Sequence, residues 1–396
     1  MIYRSLTQIA GVGARLLAPV AGENFRARLG LGLPALPAGG IWLHGASVGE
    51  IASAATLIAG LRERHEVFVT ANTPTGWDTA LALGVRAGLA PLDTPQAVAA
   101  FLDRLKPRLA ITIENELWPN RSAALARRGV PQVVLGARLS QRSAQRWARL
   151  DGLIRPMLGR LKAVSVQDYA SEARLLALGL PHAALLPRAN LKLMAPAQTM
   201  PLPPGPERAL TVLAASTHAG EEALILDAVT ALRARGVPLR LIVAPRHPQR
   251  FDEVTALMAA RGLPPARRSA GAGPKAPVLL ADSMGEMPQW YAAAGICLTG
   301  GSLVEKGGHT PWEPAAQSCA ILHGPHVANF AGDYATLDGA GAAVPVTTAT
   351  LADVLGRLLG QPQLQTSLGA KARAILIESA GDPSQLIEMI DTFATG

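Results

Sequence analysis

The chain has 396 residues, 49% hydrophobic and 17% charged. That is too long for one ordinary core and too apolar for disorder, so two domains of roughly 150 to 200 residues are expected. Lys and Arg outnumber Asp and Glu 22 to 12 over residues 1–190 but stand at 15 against 17 over the remainder, so a basic first half faces something anionic; with 4% aromatic residues and no interleaving of aromatic and basic side chains, a nucleic-acid platform, zinc finger or basic zipper is disfavoured.

At the N-terminus, Arg4 and Arg15 interrupt any apolar window long enough to span a membrane, and no small-residue cleavage site follows a signal-like core. Ile2, Leu6, Ile9, Leu16, Leu17 and Val20 recur near helical spacing beside Arg4, Arg15, Arg26 and Arg28. The pattern fits an interfacial helix, or an amphipathic helix docked on its own domain. Residues 1–34 are set apart as a membrane-proximal segment.

Short apolar runs then alternate with longer helical patterns. Ile41–Leu43, Val67–Thr70, Leu109–Ile113, Val130–Leu135 and Ala163–Val166 read as strands, with helices over Ile51–Leu61, after Thr73-Pro74-Thr75-Gly76, and from about Pro119. Pro196, Pro201, Pro203, Pro204 and Pro206 mark 194–208 as a linker, because such a run continues neither a helix nor a central strand. The alternation restarts with Leu210–Ala214, Leu239–Val243, Val278–Leu280, Gly295–Leu298, Ala320–Leu322 and Ala342–Pro345. Helices fill much of 350–393, the last opened by Gly381-Asp382-Pro383. Two α/β Rossmann-like domains facing across a cleft are expected, 35–193 and 209–380, with 381–396 crossing back to the first. Two such halves also suit a periplasmic-type binding protein, against which stands the missing export signal.

Ligands of open α/β sheets bind beyond the carboxyl ends of strands. There, His44-Gly45-Ala46-Ser47-Val48-Gly49-Glu50 feeds a small-residue turn into a helix start. Glu50 reads either as a base for an acceptor hydroxyl or as an early-helix acid favoured by the macrodipole. Glu114-Asn115-Glu116 ends a strand; one glutamate can face the cleft while the other orders Arg138 or the loop, or both belong to an acidic helix start before Pro119. In the second half, Arg246 follows a strand and suits a phosphate or carboxylate clamp. Asp282-Ser283-Met284-Gly285-Glu286 repeats the strand–turn–helix arrangement, and the glycine-dense Gly300–Leu303 and Gly307–Pro314 stretches follow another strand. Glu313 fits sugar hydroxyls, or else a solvated helix start. His218, His247, His309, His323 and His326 are scattered, no metal motif occurs, and Cys297 and Cys319 read as buried thiols.

Taken in order, these motifs resemble those of the 3-deoxy-D-manno-octulosonic acid (Kdo) transferase family. The resemblance runs from Tyr3-Arg4 to the last helices, and rests on His44–Glu50, Thr73–Gly76, Pro91-Leu92-Asp93, Glu114–Asn120, Ala137–Ser140, Asn190–Lys192, Ala215–His218, Pro245–Pro248, Met284–Glu286, Gly300–Leu303 and Gly308–Pro314. It implies an inverting glycosyltransferase of GT-B architecture that needs no metal or other cofactor. The donor would be CMP-Kdo and the acceptor the anionic, tetraacylated lipid A precursor. Glu50 would be the general base, supported by Glu116 in preference to Glu114. Arg246, Met284, Gly285, Glu286, Thr310 and Glu313 would form the CMP site, with Ser302 and Lys192 as further phosphate or carboxylate contacts. The enzyme would sit peripherally on the cytoplasmic side of an inner membrane, with no nucleic-acid or obligate protein partner. Gly45, Asn115, Gly136, Ala189, Leu193, Met194, Thr310 and Trp312 depart from the family's usual residues, and Thr310 and Trp312 bear on donor fit. A related GT-B transferase with another donor or acceptor, or a non-enzymatic binding protein, is the alternative.

Overall fold

The structure is a computed structural model and describes residues 2–31, 38–114, 116–203 and 205–395. The expected boundary at 34/35, Asn115 and Pro204 lie outside the described residues. The chain divides into two compact units, 1–195 with 379–396, and 196–378.

In the first unit, β1 (Ile41–His44), β2 (Val67–Ala71), β3 (Arg86–Leu89), β4 (Leu109–Ile113), β5 (Gln132–Ala137) and β6 (Ala163–Val166) make one parallel sheet ordered β3-β2-β1-β4-β5-β6. β1, β2, β5 and β6 are buried at every position, as a parallel sheet with helices on both faces requires. Helices after the strands start where the sequence supplies an oxygen: Ser47, Thr73, Thr94 and Asp168 each accept the N–H three residues on.

The second unit holds β7 (Thr211–Thr217), β8 (Arg240–Pro245), β9 (Ala266–Arg267), β10 (Val278–Leu280), β11 (Ile296–Thr299), β12 (Ala320–His323) and β13 (Ala343–Pro345). All run parallel, in the order β13-β12-β11-β7-β8-β10-β9. The proline run interrupts regular structure later than expected. The helix Leu191–Ala197 contains Pro196, near its end, where the missing N–H costs a single intrahelical bond.

Two edges of the first unit bear on function. The helix Pro383–Thr395 joins that unit's core through Leu386, Ile390 and Ala394, and its Asp391 accepts from His65 at 2.8 Å and from Arg64. Gly60 lies so close to Ile387 that a Cβ there would meet Cδ1 at 2.3 Å. The N-terminal helix, Ile2–Leu17, packs by its small and polar side. Tyr3 donates to Asp93 (3.0 Å), Thr7 accepts from Asn120 (2.8 Å), and a Cβ on Gly11 would strike Gln96 and Thr94. Its apolar side stays outside: Ile2, Leu6, Ile9, Val12, Leu16, Leu17 and, just beyond it, Val20 are all more than half exposed. Among the described residues no helix is long and apolar enough to cross a membrane.

Candidate functional site

In each sheet the chain starts in the middle, builds one side, and returns to build the other. The reversal falls between β1 and β4 in the first unit and between β7 and β11 in the second. Neighbouring crossovers diverge at such a point and leave a crevice at the carboxyl ends of the strands. In the first unit, the loops at that point are His44–Glu50, after β1, and Glu114–Trp118, after β4.

Glu50 is the third residue of the helix Val48–Ser53. Its N–H bonds the Ser47 hydroxyl (3.3 Å), and its carboxylate accepts from Ala46 N–H (2.8 Å) and Ser47 (3.1 Å). Ser47 caps the helix start and Glu50 reaches back past it to the Ala46 N–H, so Glu50 does hold the expected early-helix position. Burial pushes the carboxyl pKa up; the Ala46 N–H opposes this, and the charges of Glu114 and Glu116 add to the rise. A half-buried carboxylate with raised affinity for a proton is what a general base needs.

The two glutamates after β4 part company. Glu114 takes a left-handed backbone (φ 59°), and its carboxylate meets Lys192 at 2.6 Å, not Arg138, which is exposed. Glu116 accepts from Trp118 (2.6 Å) and Asn72 (3.3 Å), with His44 Nε2 at 3.8 Å. His44 first, and then Trp118, overcome burial and hold Glu116 down at about 2. The buried Arg121 supports this loop from beneath: its guanidinium donates to the Glu116 carbonyl, while its own N–H and that of Asn120 bond Asp93 (2.8 and 3.0 Å). Burial and Arg121 keep His44 near 4, hence neutral, and its Nδ1 lies 3.1 Å from the Thr70 carbonyl and 3.0 Å from its hydroxyl, so it is no partner for Ser47.

In the second unit, the glycine-dense loop after β11 already holds an anion. Glu221, at the start of the helix after β7, accepts N–H groups from Gly301 (2.6 Å), Ser302 (3.0 Å), Leu303 (2.9 Å) and His218 (2.9 Å). Ser302 is therefore corrected as a phosphate contact: it is fully buried, and its hydroxyl donates to the Thr299 carbonyl and accepts from Gly324. Trp312 is also turned inward, 6% exposed, so it acts on a donor only through the packing of its helix. Lys192 is committed to Glu114.

Other candidates remain at the strand ends. Arg246 is exposed after β8, its guanidinium in no ion pair among the described residues. Met284 is 65% exposed and Gly285 has φ 81°, beside Glu286, which Arg268 grips with two nitrogens (2.7 and 3.0 Å). Glu313 stands exposed, steadied by the buried Tyr291 hydroxyl at 2.9 Å; Thr310 Oγ1 accepts from the Trp312 N–H (3.3 Å).

Three histidines taken as scattered in fact converge here. His218, after β7, and His309, after β11, bring Nε2 atoms to 2.9 Å, with ring planes 10° apart. His247 adds an edge contact to His218 at 5.3 Å between centroids. The available signal was positional, since all three follow strands flanking or adjoining the reversal point.

Comparison with known proteins bears on both units. The model of the family described as 3-deoxy-D-manno-octulosonic-acid transferase (kdotransferase) matches residues 23–195. The chain is 35% identical over 393 residues to the 3-deoxy-D-manno-octulosonic acid transferase of Bordetella pertussis, covering 92% of this chain and 90% of the relative. Against the enzyme of that name from Haemophilus influenzae it is 33% identical over 377 residues, covering 90% and 88%. Among solved structures, the UDP-GlcNAc 2-epimerase of Neisseria meningitidis aligns with a TM-score of 0.57 at 13% identity, over 89% of this chain and 99% of that one. MurG of Acinetobacter baumannii gives 0.56 at 16% identity over the same shares. These two establish the fold, two Rossmann-like domains of GT-B type.

Proposed function

The chain belongs to the family of 3-deoxy-D-manno-octulosonic acid transferases, and from that premise we propose that it moves Kdo from CMP-Kdo to a lipid A precursor, with inversion. The observation that carries the proposal is the acid cluster at the β1/β4 reversal. Glu50, its proton affinity raised by burial and by two neighbouring carboxylates, takes the proton of the acceptor hydroxyl as that oxygen attacks the anomeric carbon. The bond from that carbon to the CMP phosphate oxygen breaks with its electron pair, and CMP leaves. Glu116, ionised and fixed by Trp118 and Asn72, keeps negative charge beside Glu50 and stabilises the protonated base. Arg246, Met284, Gly285, Glu286, Thr310 and Glu313 serve the cytidine monophosphate.

Purified protein incubated with CMP-Kdo and lipid A precursor should release CMP and give a Kdo-bearing lipid, and Glu50→Gln should lower kcat by about 10²–10⁴-fold. Turnover of the variant at the wild-type rate removes Glu50 as the base; no Kdo-lipid from the wild type removes the donor and acceptor assignment.

The same reading places the protein on the cytoplasmic face of an inner membrane, held by the outward stripe of Ile2, Leu6, Ile9, Leu16 and Leu17. Beside the stripe lies a basic patch, in which Arg4, Arg128 and Arg160 all act on Arg127. Each apolar side chain that enters lipid contributes about 1.5–3 kcal/mol. Leu6→Asp with Ile9→Asp should cut partitioning to anionic vesicles at least about tenfold, by sedimentation, and leave Tm unchanged.

A further inference from the structure

We propose that the His218–His309 pair, with Arg246 and His247 beside it, is an anion subsite that takes the acidic group of the donor and gains one proton as it does so. The proposal rests on the nucleotide-sugar reading of the second unit and adds to it a binding site and a proton.

The geometry fixes the protonation. Two imidazole nitrogens 2.9 Å apart cannot both carry hydrogen, which would clash, nor both present lone pairs, which would repel. One proton lies between them, as N–H···N. The pair is neutral when the accepting ring carries its own proton on Nδ1; a third proton, on the Nδ1 of the donating ring, makes it an imidazolium hydrogen-bonded to an imidazole.

The surroundings decide when the third proton arrives. His247 and Arg246 face the pair from the loop after β8, and Lys306 from the loop after β11. On the other side, Glu222 favours a proton on His218, but it is bound by Arg250 at 2.6 Å. Glu221 has its carboxylate taken by four backbone N–H groups. Cations therefore dominate the open side. Burial comes first in lowering both imidazoles, His309 to about 4; on His309 the further push comes from His218, Arg246 and His247, and on His218 from His247, Lys306 and Arg246. At neutral pH the free pair is uncharged among positive neighbours.

A carboxylate or phosphate arriving there reverses the sign. It offsets the charge of Arg246, raises the proton affinity of the pair, and accepts a charge-assisted hydrogen bond from it. Among the described residues, no group of three or more His, Cys, Asp or Glu is arranged to hold an ion. Its position at the β7/β11 reversal is where an open sheet receives its ligand. The loop that would otherwise offer backbone donors there is filled by Glu221, which leaves these side chains to meet the anion.

The sign of the pH dependence follows. The free pair titrates below the bound pair, so between the two pKa values binding takes up a proton and the donor binds more tightly as pH falls. Titration calorimetry on the full chain at pH 7, in buffers of different ionisation enthalpy, reads the proton directly. The ligands are CMP-Kdo, CMP and cytidine. The proteins are the wild type, His309→Gln, His218→Gln and the double variant, the last correcting for protonation of CMP's own phosphate.

CMP-Kdo should bind the wild type with net proton uptake. Either single variant should abolish the uptake and weaken binding about tenfold, the low end for a charge-assisted hydrogen bond. The double variant should weaken it no further, because the pair acts as one unit. Uptake with CMP as well as CMP-Kdo makes the phosphate the partner; uptake with CMP-Kdo alone makes it the sugar carboxylate. Equal uptake with cytidine, or CMP-Kdo binding without uptake and unaltered in both variants, overturns the subsite while leaving the transferase reading intact. Proton-coupled binding of CMP, but not of CMP-Kdo, supports the subsite and overturns the donor assignment.

Discussion

Glu50 and Glu221 hold the same address in their respective units. Each is an acid at the start of the helix that follows the strand beside the chain reversal. Glu50 accepts from its own loop alone, Ala46 and Ser47, and keeps lone pairs for a visitor. Glu221 accepts from His218 beside it and from three N–H groups some 80 residues away, and is spent. The first crevice is thus lined by carboxylates, of which Glu50 is primed to take a proton, while the second is stoppered by a carboxylate and offers imidazoles and Arg246 instead. Identical local patterns give opposite electrostatics because the facing loop differs: Glu114–Trp118 brings acids, whereas Gly300–Leu303 brings bare backbone donors.

Removing Glu221 tests the contrast most severely. Glu221→Ala orphans four backbone donors and should cost about 3–5 kcal/mol, read by urea unfolding, with hydrogen exchange at Gly301–Leu303 rising first. Unchanged exchange there would mean that the loop holds itself. Next comes Glu116→Gln, which removes a negative charge beside Glu50. The base must be ionised to act, so the acid limb of kcat/KM reflects the raised Glu50 pKa; the variant should shift that limb to lower pH. The same carboxyl is depressed from 4.5 to about 2, so its stabilisation is complete above 4.5 and disappears as pH falls through 2. Acid unfolding of Glu116→Gln should lose that component. The smallest effect belongs to Tyr3→Phe. It deletes one hydrogen bond to Asp93, costs about 1 kcal/mol by thermal unfolding, and leaves the pH profile of kcat/KM in place.

Most strands were legible because burial on both faces turns them into apolar runs. β3 was not, since as an edge strand it carries exposed Arg86 and Gly88 in place of such a run; β9, at two residues, is too short to leave a pattern. The position of Glu50 was legible because strand, small-residue turn and helix start are local. The stopper role of Glu221, the Lys192 partner of Glu114 and the meeting of His218 with His309 were not. Each depends on a contact across 78 to 91 residues, set by sheet order and invisible to periodicity. The N-terminal helix shows the same limit: its stripe was plain, but which side faced the protein turned on Gly11 fitting beneath Thr94 and Gln96.

The helix Pro383–Thr395 gives the chain an order of birth. On the ribosome the whole of 196–378 is made before Leu386 and Ile390 can close the core they share with Ile41, Leu57 and Leu61. The second unit, continuous in sequence, can therefore mature first although it is translated second. The unit bearing the acids and the outward apolar stripe waits with an open seam until Pro383–Thr395 is made. A chain cut before residue 383 should still fold its second unit while remaining unable to complete the first, so Glu50 acquires its final surroundings only once Pro383–Thr395 has been added.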